Sequence, residues 1–237
     1  MSQATPKYAP ESPENDFDYW LVRFNMEVSQ DLILGTNVLE LGCFAGFSTS
    51  LLLARSQKLT VVDLSQENID LTRRKMADHS DRVTLICSAW EKFEPRETFS
   101  DAVMWRGLEH VVDPVPLLRR IGSWLSPGGR LHIVVPNAQS LHRRVGVAMG
   151  MMSDVHELNA RDHEVGHQRV YDRALLTRHL ADAGLRVHRW DGVYLKPLSN
   201  GQMQKWDESL IRAFFKVGRE LPDYCAEIYI CATKATD

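Results

Sequence analysis

Cysteine is scarce in this 237-residue chain: Cys43, Cys87, Cys225 and Cys231 are scattered, with no C-x-x-C pair. That spacing excludes a disulfide framework and a thiolate zinc site, and predicts buried thiols in a reducing, cytoplasmic setting. No run of about 18 apolar residues occurs, and the polar stretch from Met1 to Pro13 lacks the core of a signal peptide, so neither spanning of a membrane nor secretion is expected. Charge of one sign is not in excess either. With 28 Lys+Arg against 31 Asp+Glu the formal charge is −3, which leaves no overall field to draw a polyanion, and nucleic acid is not an expected partner. No internal repeat is found, and 44% apolar residues exclude a disordered or fibrous chain.

What is present is an alternation of two periods. From Asp16 to Leu32, Phe17, Trp20, Leu21, Phe24, Val28 and Leu32 recur at spacings of three and four, one stripe on a helix. Strands are predicted at Asn37 to Leu41, Leu59 to Asp63, Val83 to Cys87, Asp101 to Trp105, Leu131 to Val135, Leu185 to about Tyr194 and Tyr224 to Thr233. Helices are predicted between most of them, with Asp113-Pro114 as one start and Ser126-Pro-Gly-Gly129 as the turn that stops that helix before the next strand. Strand alternating with helix implies an α/β fold with a doubly wound, mostly parallel, seven-stranded sheet of Rossmann-like form. Residues 1–14 are read as a flexible tail and 15–237 as one domain. Two excursions, about 137–171 and 196–222, are read as lid insertions over the strand ends, the first mainly helical.

In such a sheet a ligand sits beyond the carboxyl ends of the strands, where the first turn must bring backbone close to it. Gly42 and Gly46 occupy that turn. A dinucleotide fingerprint would need glycine where Phe44 and Phe47 stand, so no pyrophosphate seat is expected. Asp63 ends the second strand about 20 residues after the turn, the separation at which a carboxylate reaches a ribose diol.

The run Val38-Leu-Glu-Leu-Gly-Cys-Phe-Ala-Gly46, the strand end Val61-Val-Asp63 and the turn Leu125-Ser-Pro-Gly-Gly129 resemble the class I S-adenosylmethionine-dependent methyltransferases, from about Asn37 to Val135. The resemblance implies S-adenosyl-L-methionine as cofactor and S-adenosyl-L-homocysteine as product. It implies a cofactor wall of Glu40, Gly42, Cys43, Phe44, Gly46, Asp63, Leu64, Ser88, Ala89, Trp90, Trp105 and Arg106. Asp63 would hold the ribose. Ser88, where such enzymes usually carry Asp, would meet the adenine together with the Trp90 ring. Arg106 or Arg23 would face the methionine carboxylate, and Cys43 is read as a small loop residue, not a nucleophile.

A narrower resemblance, carried by Met104-Trp-Arg-Gly-Leu-Glu-His-Val-Val-Asp-Pro114 and Val134-Val-Pro-Asn137, is to the ubiquinone-biosynthesis O-methyltransferases. In those enzymes a Glu three residues before the Glu-His pair helps hold a divalent metal. Here Arg106 takes that place and no metal is expected. The expected reaction is transfer of a methyl group to a hydroxyl of a small metabolite (a natural product, sugar or quinone precursor). The alternatives are an amine acceptor or a non-catalytic cofactor-binding protein.

Methyl transfer from a sulfonium is an in-line displacement that chiefly needs alignment, and a base only where the acceptor must lose a proton. His167, within Gly166-His-Gln-Arg-Val-Tyr171, is expected as base or acceptor-positioning residue, with His163 second and His110 third. A structural tie between lid and sheet is the other reading of His167 and Arg169. A metal set of His156, His163 and His167 is disfavoured by Gly166. The Met149-Gly-Met-Met152 run is expected to line an adaptable acceptor pocket. Membrane contact by Arg143 and Arg144 is not expected, and a homodimer is allowed.

Overall fold

The computed structural model describes residues 16–33 and 35–235, so the expected tail over residues 1–14 lies outside the described residues. In chain order the elements are α1 (Asp18–Ser29), β1 (Asn37–Leu41), α2 (Phe47–Leu53), β2 (Lys58–Asp63), α3 (Gln66–Lys75), β3 (Val83–Cys87), β4 (Phe99–Trp105), α4 (Pro114–Trp124) and β5 (Leu125–Pro136). There follow α5 (Leu141–Ala148), α6 (Ala160–Val165), α7 (Arg173–Asp182), β6 (Leu185–Val193), α8 (Asn200–Met203), α9 (Glu208–Gly218) and β7 (Glu227–Lys234).

The seven strands make one sheet in the order β3-β2-β1-β4-β5-β7-β6. The first five run parallel, and β7 enters antiparallel between β5 and β6. Strand order reverses between β1 and β4, which opens a crevice above their carboxyl ends, the usual ligand position in such a sheet. Successive residues serve opposite faces. Val38, Val61, Val103, Trp105 and Val134 join the apolar layer with α1, α2 and α9, while Leu39, Val62, Met104, Ile133 and Val135 join the layer with α4 and α7. The nearly continuous apolar strands of the sequence are thus strands covered on both sides.

Helix ends follow local chemistry. The Ser65 hydroxyl accepts the Asn68 N–H at 3.2 Å, the Asp172 carboxylate accepts the Leu175 N–H at 2.7 Å, and Pro114 opens α4. The stripe of α1 is buried as its spacing requires, and Phe24 stacks on Phe215 with ring centres 4.1 Å apart. Ser126–Gly129 departs from expectation, because α4 runs straight into β5. Leu125 already pairs with Phe99, and Arg130 next pairs with Asp101, so the Pro-Gly-Gly segment is a bulge inside the strand. Gly129 is required there, since a Cβ would lie 2.9 Å from the Phe99 carbonyl oxygen.

Among the described residues no helix is long and apolar enough to cross a membrane. The expected methionine-lined pocket is not found. Met149 and Met151 are 69% and 72% exposed, Met152 is half-buried beside Gly146, and none of the three is on the cavity wall, because α5 is a short helix that ends at Ala148.

Candidate active site

A cavity of about 1400 Å³ opens over the carboxyl ends of β1, β2, β4 and β5. Its floor at one end is the turn after β1. Gly42 and Gly46 have φ of +89° and +88°, and Phe44 and Ala45 between them also have positive φ, 43° and 51°. Two side-chain-bearing residues held in the left-handed region are strained backbone, of the kind that surrounding structure must enforce. The turn is pinned from both sides: Gly42 N–H donates to the Val62 carbonyl at 2.9 Å, and Cys43 N–H donates to Asp63 Oδ2 at 3.0 Å.

Asp63 is buried at the end of β2. Its Oδ1 accepts the Ser65 N–H at 2.8 Å, and the Asn68 amide lies 3.4 Å from both oxygens. Trp90 is fixed by its indole N–H, which donates to the Val62 carbonyl at 3.2 Å, and its ring wedges between the two turns. A Cβ on Gly107 would come within 2.9 Å of that ring, and one on Gly42 within 3.5 Å. Gly42, Cys43, Phe44, Asp63, Leu64, Ala89, Trp90, Trp105 and Arg106 all line the cavity.

Three other residues expected on the cofactor wall stand behind it. Both oxygens of the buried Glu40 carboxylate accept hydroxyls of α2, Ser48 and Thr49, and burial pushes its pKa up to about 8. Gly46 admits α3, as its Cβ would lie 3.1 Å from Thr72 Cα. The Ser88 hydroxyl donates to the Ala89 carbonyl at 3.0 Å. Arg106, with φ of 53°, turns toward Asp18 Oδ2 at 2.9 Å and Glu227 Oε1 at 3.2 Å. Burial lifts the Glu227 pKa to about 7 even beside this guanidinium. Arg23 is off the wall, bonded to the Tyr19 hydroxyl at 2.9 Å.

The other end of the cavity is built by the β4 end and the lid. Asn159 and Asp162 form a reciprocal capping box on α6, and Gly166, with φ of 83°, terminates that helix. His167 follows at once, with Nδ1 2.9 Å from Asp162 Oδ1. Burial acts to raise the Asp162 pKa, but His167, the Asn159 N–H and Arg143 outweigh it and hold the value at about 2. An ionised carboxylate only accepts, so Nδ1 carries the proton of this hydrogen bond, and Nε2 is the nitrogen turned toward Glu109.

Lid and sheet are also tied directly. Gln168 N–H donates to the Glu109 carbonyl at 2.8 Å, and the Arg169 guanidinium donates to the carbonyls of Val111 and Val112. Arg169 therefore serves the structural tie, while His167, His163 and His110 line the cavity. His156 is not with them: its two nitrogens face Asp154 and Asp172, each at 3.1 Å. From the second excursion Lys196, Ser199 and Asn200 reach the cavity.

One member of this end carried no signal of its burial in the sequence. Glu109 is fully buried, and neither carboxylate oxygen finds a hydrogen-bond partner among the described residues. Its Oε1 lies 4.0 Å from His167 Nε2, and the His110 and His167 rings meet edge to face at 4.8 Å. One ligand atom each from Glu109, His110 and His167 lies within 4.8 Å of the others. The ubiquinone-type arrangement, with a carboxylate at position 106, cannot form because Arg106 stands there. An unpartnered carboxylate beside two imidazoles is nonetheless a donor set that fits a divalent cation.

A family model described as a methyltransferase domain matches residues 10–189. Nodulation protein S of Rhizobium tropici is 35% identical over 98 residues, 40% of this chain and 41% of that protein, so the match spans about two fifths of the relative. A ubiquinone biosynthesis O-methyltransferase of Idiomarina loihiensis is 24% identical over 188 residues, covering 77% of this chain and 74% of its own. Among solved structures, the N-methyltransferase NodS of Bradyrhizobium japonicum in complex with S-adenosyl-l-homocysteine superposes with a TM-score of 0.57. That match has 16% identity and covers 96% of this chain and 90% of the other, a likeness of fold.

Proposed function

Since the chain belongs to the class I S-adenosylmethionine-dependent methyltransferases, we propose that it transfers the methyl group of S-adenosyl-L-methionine to a hydroxyl of a small metabolite such as a natural product, sugar or quinone precursor. The observation that carries this reading is the single continuous cavity of about 1400 Å³. It has the strained glycine turn, Asp63 and Trp90 at one end and the imidazoles of His110 and His167 with the unpaired Glu109 at the other. That volume exceeds what one drug-sized ligand takes, about 300–1000 Å³, and leaves room for cofactor and acceptor together.

At the first end Asp63 accepts the ribose hydroxyls, Gly42 to Phe44 bring backbone to the methionine portion, and Leu64, Ala89 and Trp90 enclose the adenine. Trp105, whose buried indole N–H has no partner among the described residues, and Arg106 border the junction with the acceptor. At the second end His167 holds the acceptor hydroxyl, oriented from behind by Asp162, and the hydroxyl proton leaves into the Glu109–His110–His167 cluster. The lid excludes water from a displacement whose rate depends on alignment. An amine acceptor would meet the same carboxylate, and the N-methyltransferase among the structural neighbours keeps that second reading in view. The scattered cysteines, all free among the described residues, support a reducing, cytoplasmic setting, although Cys87 is exposed and not buried as expected.

The test is incubation of the protein with methyl-labelled cofactor and a metabolite extract of its source, followed by mass identification of the labelled product. With that acceptor, His167→Ala should lower kcat by about 100-fold or more and change cofactor affinity less than about threefold. Equal losses in both would assign His167 to architecture, and no labelled product from any extract would remove the catalytic reading.

A further inference from the structure

Glu109 is the least explained group in the molecule. A carboxyl group with 0% exposure has no hydrogen bond to either oxygen among the described residues, and the contact recorded for it, His167 Nε2 at 4.0 Å, is too long to be one. The compensating group must come from the cavity. Arg106, the nearest cation along the chain, is turned to Asp18 and Glu227 instead.

We propose that Glu109 and His110, at the end of β4, and His167, from the lid, together bind one divalent cation of the zinc and cobalt class, which staples the lid to the sheet. The binding itself does not rest on the reading of this end of the cavity as the acceptor side; with the cation in place His167 Nε2 is one of its ligands, so the acceptor hydroxyl would be held at the open position of the cation and not by His167 directly.

Three observations favour a cation over a proton or a water. The first is the donor set. One carboxylate oxygen and two imidazole nitrogens make the three-ligand pattern of open zinc and non-haem iron sites, whereas magnesium and calcium take oxygen ligands. The second is outer support. A ligating imidazole commonly has its other nitrogen fixed by a carboxylate or carbonyl. His167 Nδ1 is held by Asp162, which Arg143 holds in turn at 3.1 Å.

The third observation is separation. The ligand atoms lie within 4.8 Å of one another. Around a tetrahedral cation with bonds of about 2.1 Å they would stand about 3.4 Å apart. Closing that gap takes roughly an ångström of movement of the His167 loop toward β4. Position 106 has lost the oxygen ligand of the ubiquinone-type site, and the lid supplies a nitrogen in its stead. Two of the donors belong to the turn that follows β4 and one to the segment that covers the cleft.

The experiment uses the full chain stripped with chelator and titrated with Co2+, followed by calorimetry and visible absorption, with Zn2+ and Mg2+ as competitors. The expected result is one Co2+ per chain with a ligand-field band, displaced by Zn2+ and not by millimolar Mg2+. A hundredfold excess of Zn2+ over its Kd should raise Tm by about 5–10 °C. Zn2+ should also slow amide exchange over residues 159–169. Glu109→Gln and His167→Ala should each weaken Co2+ at least about 100-fold, with folding of each checked by its melt. His167 is truncated without burying a new polar group, so it remains informative if Glu109→Gln does not fold.

His156→Ala tests the rival surface site with Asp154 and Asp172 and should leave affinity unchanged. Absence of Co2+ binding by the unaltered chain, loss of binding in His156→Ala, or equal competition by Mg2+ would each overturn the proposal. Binding of S-adenosylhomocysteine, measured without cation, separates the two readings. Cofactor binding with no cation binding sinks only the staple, and the reverse sinks the methyl-transfer reading.

Discussion

Asp63→Asn is the substitution that most directly tests the cofactor end. A carboxylate offers about four lone-pair sites on two oxygens. The Cys43 N–H at 3.0 Å takes one on Oδ2, and the Ser65 N–H at 2.8 Å takes one on Oδ1. Asn68 spans the remaining pair loosely, 3.4 Å from each oxygen. The Cys43 thiol reaches Oδ2 as loosely, at 3.4 Å, so each oxygen keeps one site held only by long contacts that a vicinal diol can displace.

An amide at this position replaces one oxygen by a donor that must face either the Cys43 or the Ser65 N–H. One ribose bond and one internal bond are lost together. A hydrogen bond to an ionised group contributes about 1.5–3 kcal/mol, so S-adenosylhomocysteine should bind about 10–150-fold more weakly to Asp63→Asn. Asp63→Ala should forfeit both ribose bonds, about 3–6 kcal/mol, and take binding beyond calorimetric detection. The assay is isothermal titration at fixed pH and salt, on protein with a cooperative melt. Asp63→Asn that folds and binds within threefold of the unaltered chain would show that the diol is not held here.

Two further perturbations probe the frame around the site. Glu40 titrates near 8 when folded, chiefly through burial, against 4.5 unfolded. The folded state holds the extra proton between those values, so this contribution to stability is complete below about pH 4.5 and is lost as pH rises through 8. The Tm of Glu40→Gln should therefore gain on that of the unaltered chain from pH 5.5 to pH 8.5, by an amount equivalent to up to a few kcal/mol, and parallel Tm curves would show that the charge is not buried as described. Arg143→Ala removes a buried guanidinium that donates to the carbonyls of Val155 and Glu157 and to Asp162. It should cost about 3–5 kcal/mol, felt as faster amide exchange over residues 153–167 with the sheet strands unchanged, and uniform acceleration would deny the lid its independence.

Much of the cofactor end is legible in the chain because its causes are local. A buried parallel strand declares itself as an apolar run, a left-handed turn as glycine, a helix start as Asp113-Pro114, and a cavity-lining carboxylate as Asp63 at the end of the second strand. Each depends on residues a few positions apart. The same reasoning misassigned the Ser126–Gly129 turn because a bulge and a strand start share one composition, and only the pairing of Leu125 with Phe99 tells them apart.

What tertiary structure alone decided is which polar groups meet. Glu40 looked like a cofactor ligand, but Ser48 and Thr49, in the first turn of α2, close over it. Gly46 serves the approach of α3, Arg106 faces Asp18 and Glu227, and Met149 and Met151 of the lid end in solvent. Glu109 and His167 are far apart in the chain and 4.0 Å apart in space, with the lid folded back to bring them together. Backbone preference acts over a turn or two and is written in neighbouring side chains. Convergence of buried charges depends on how whole layers pack, and no short window of sequence records it.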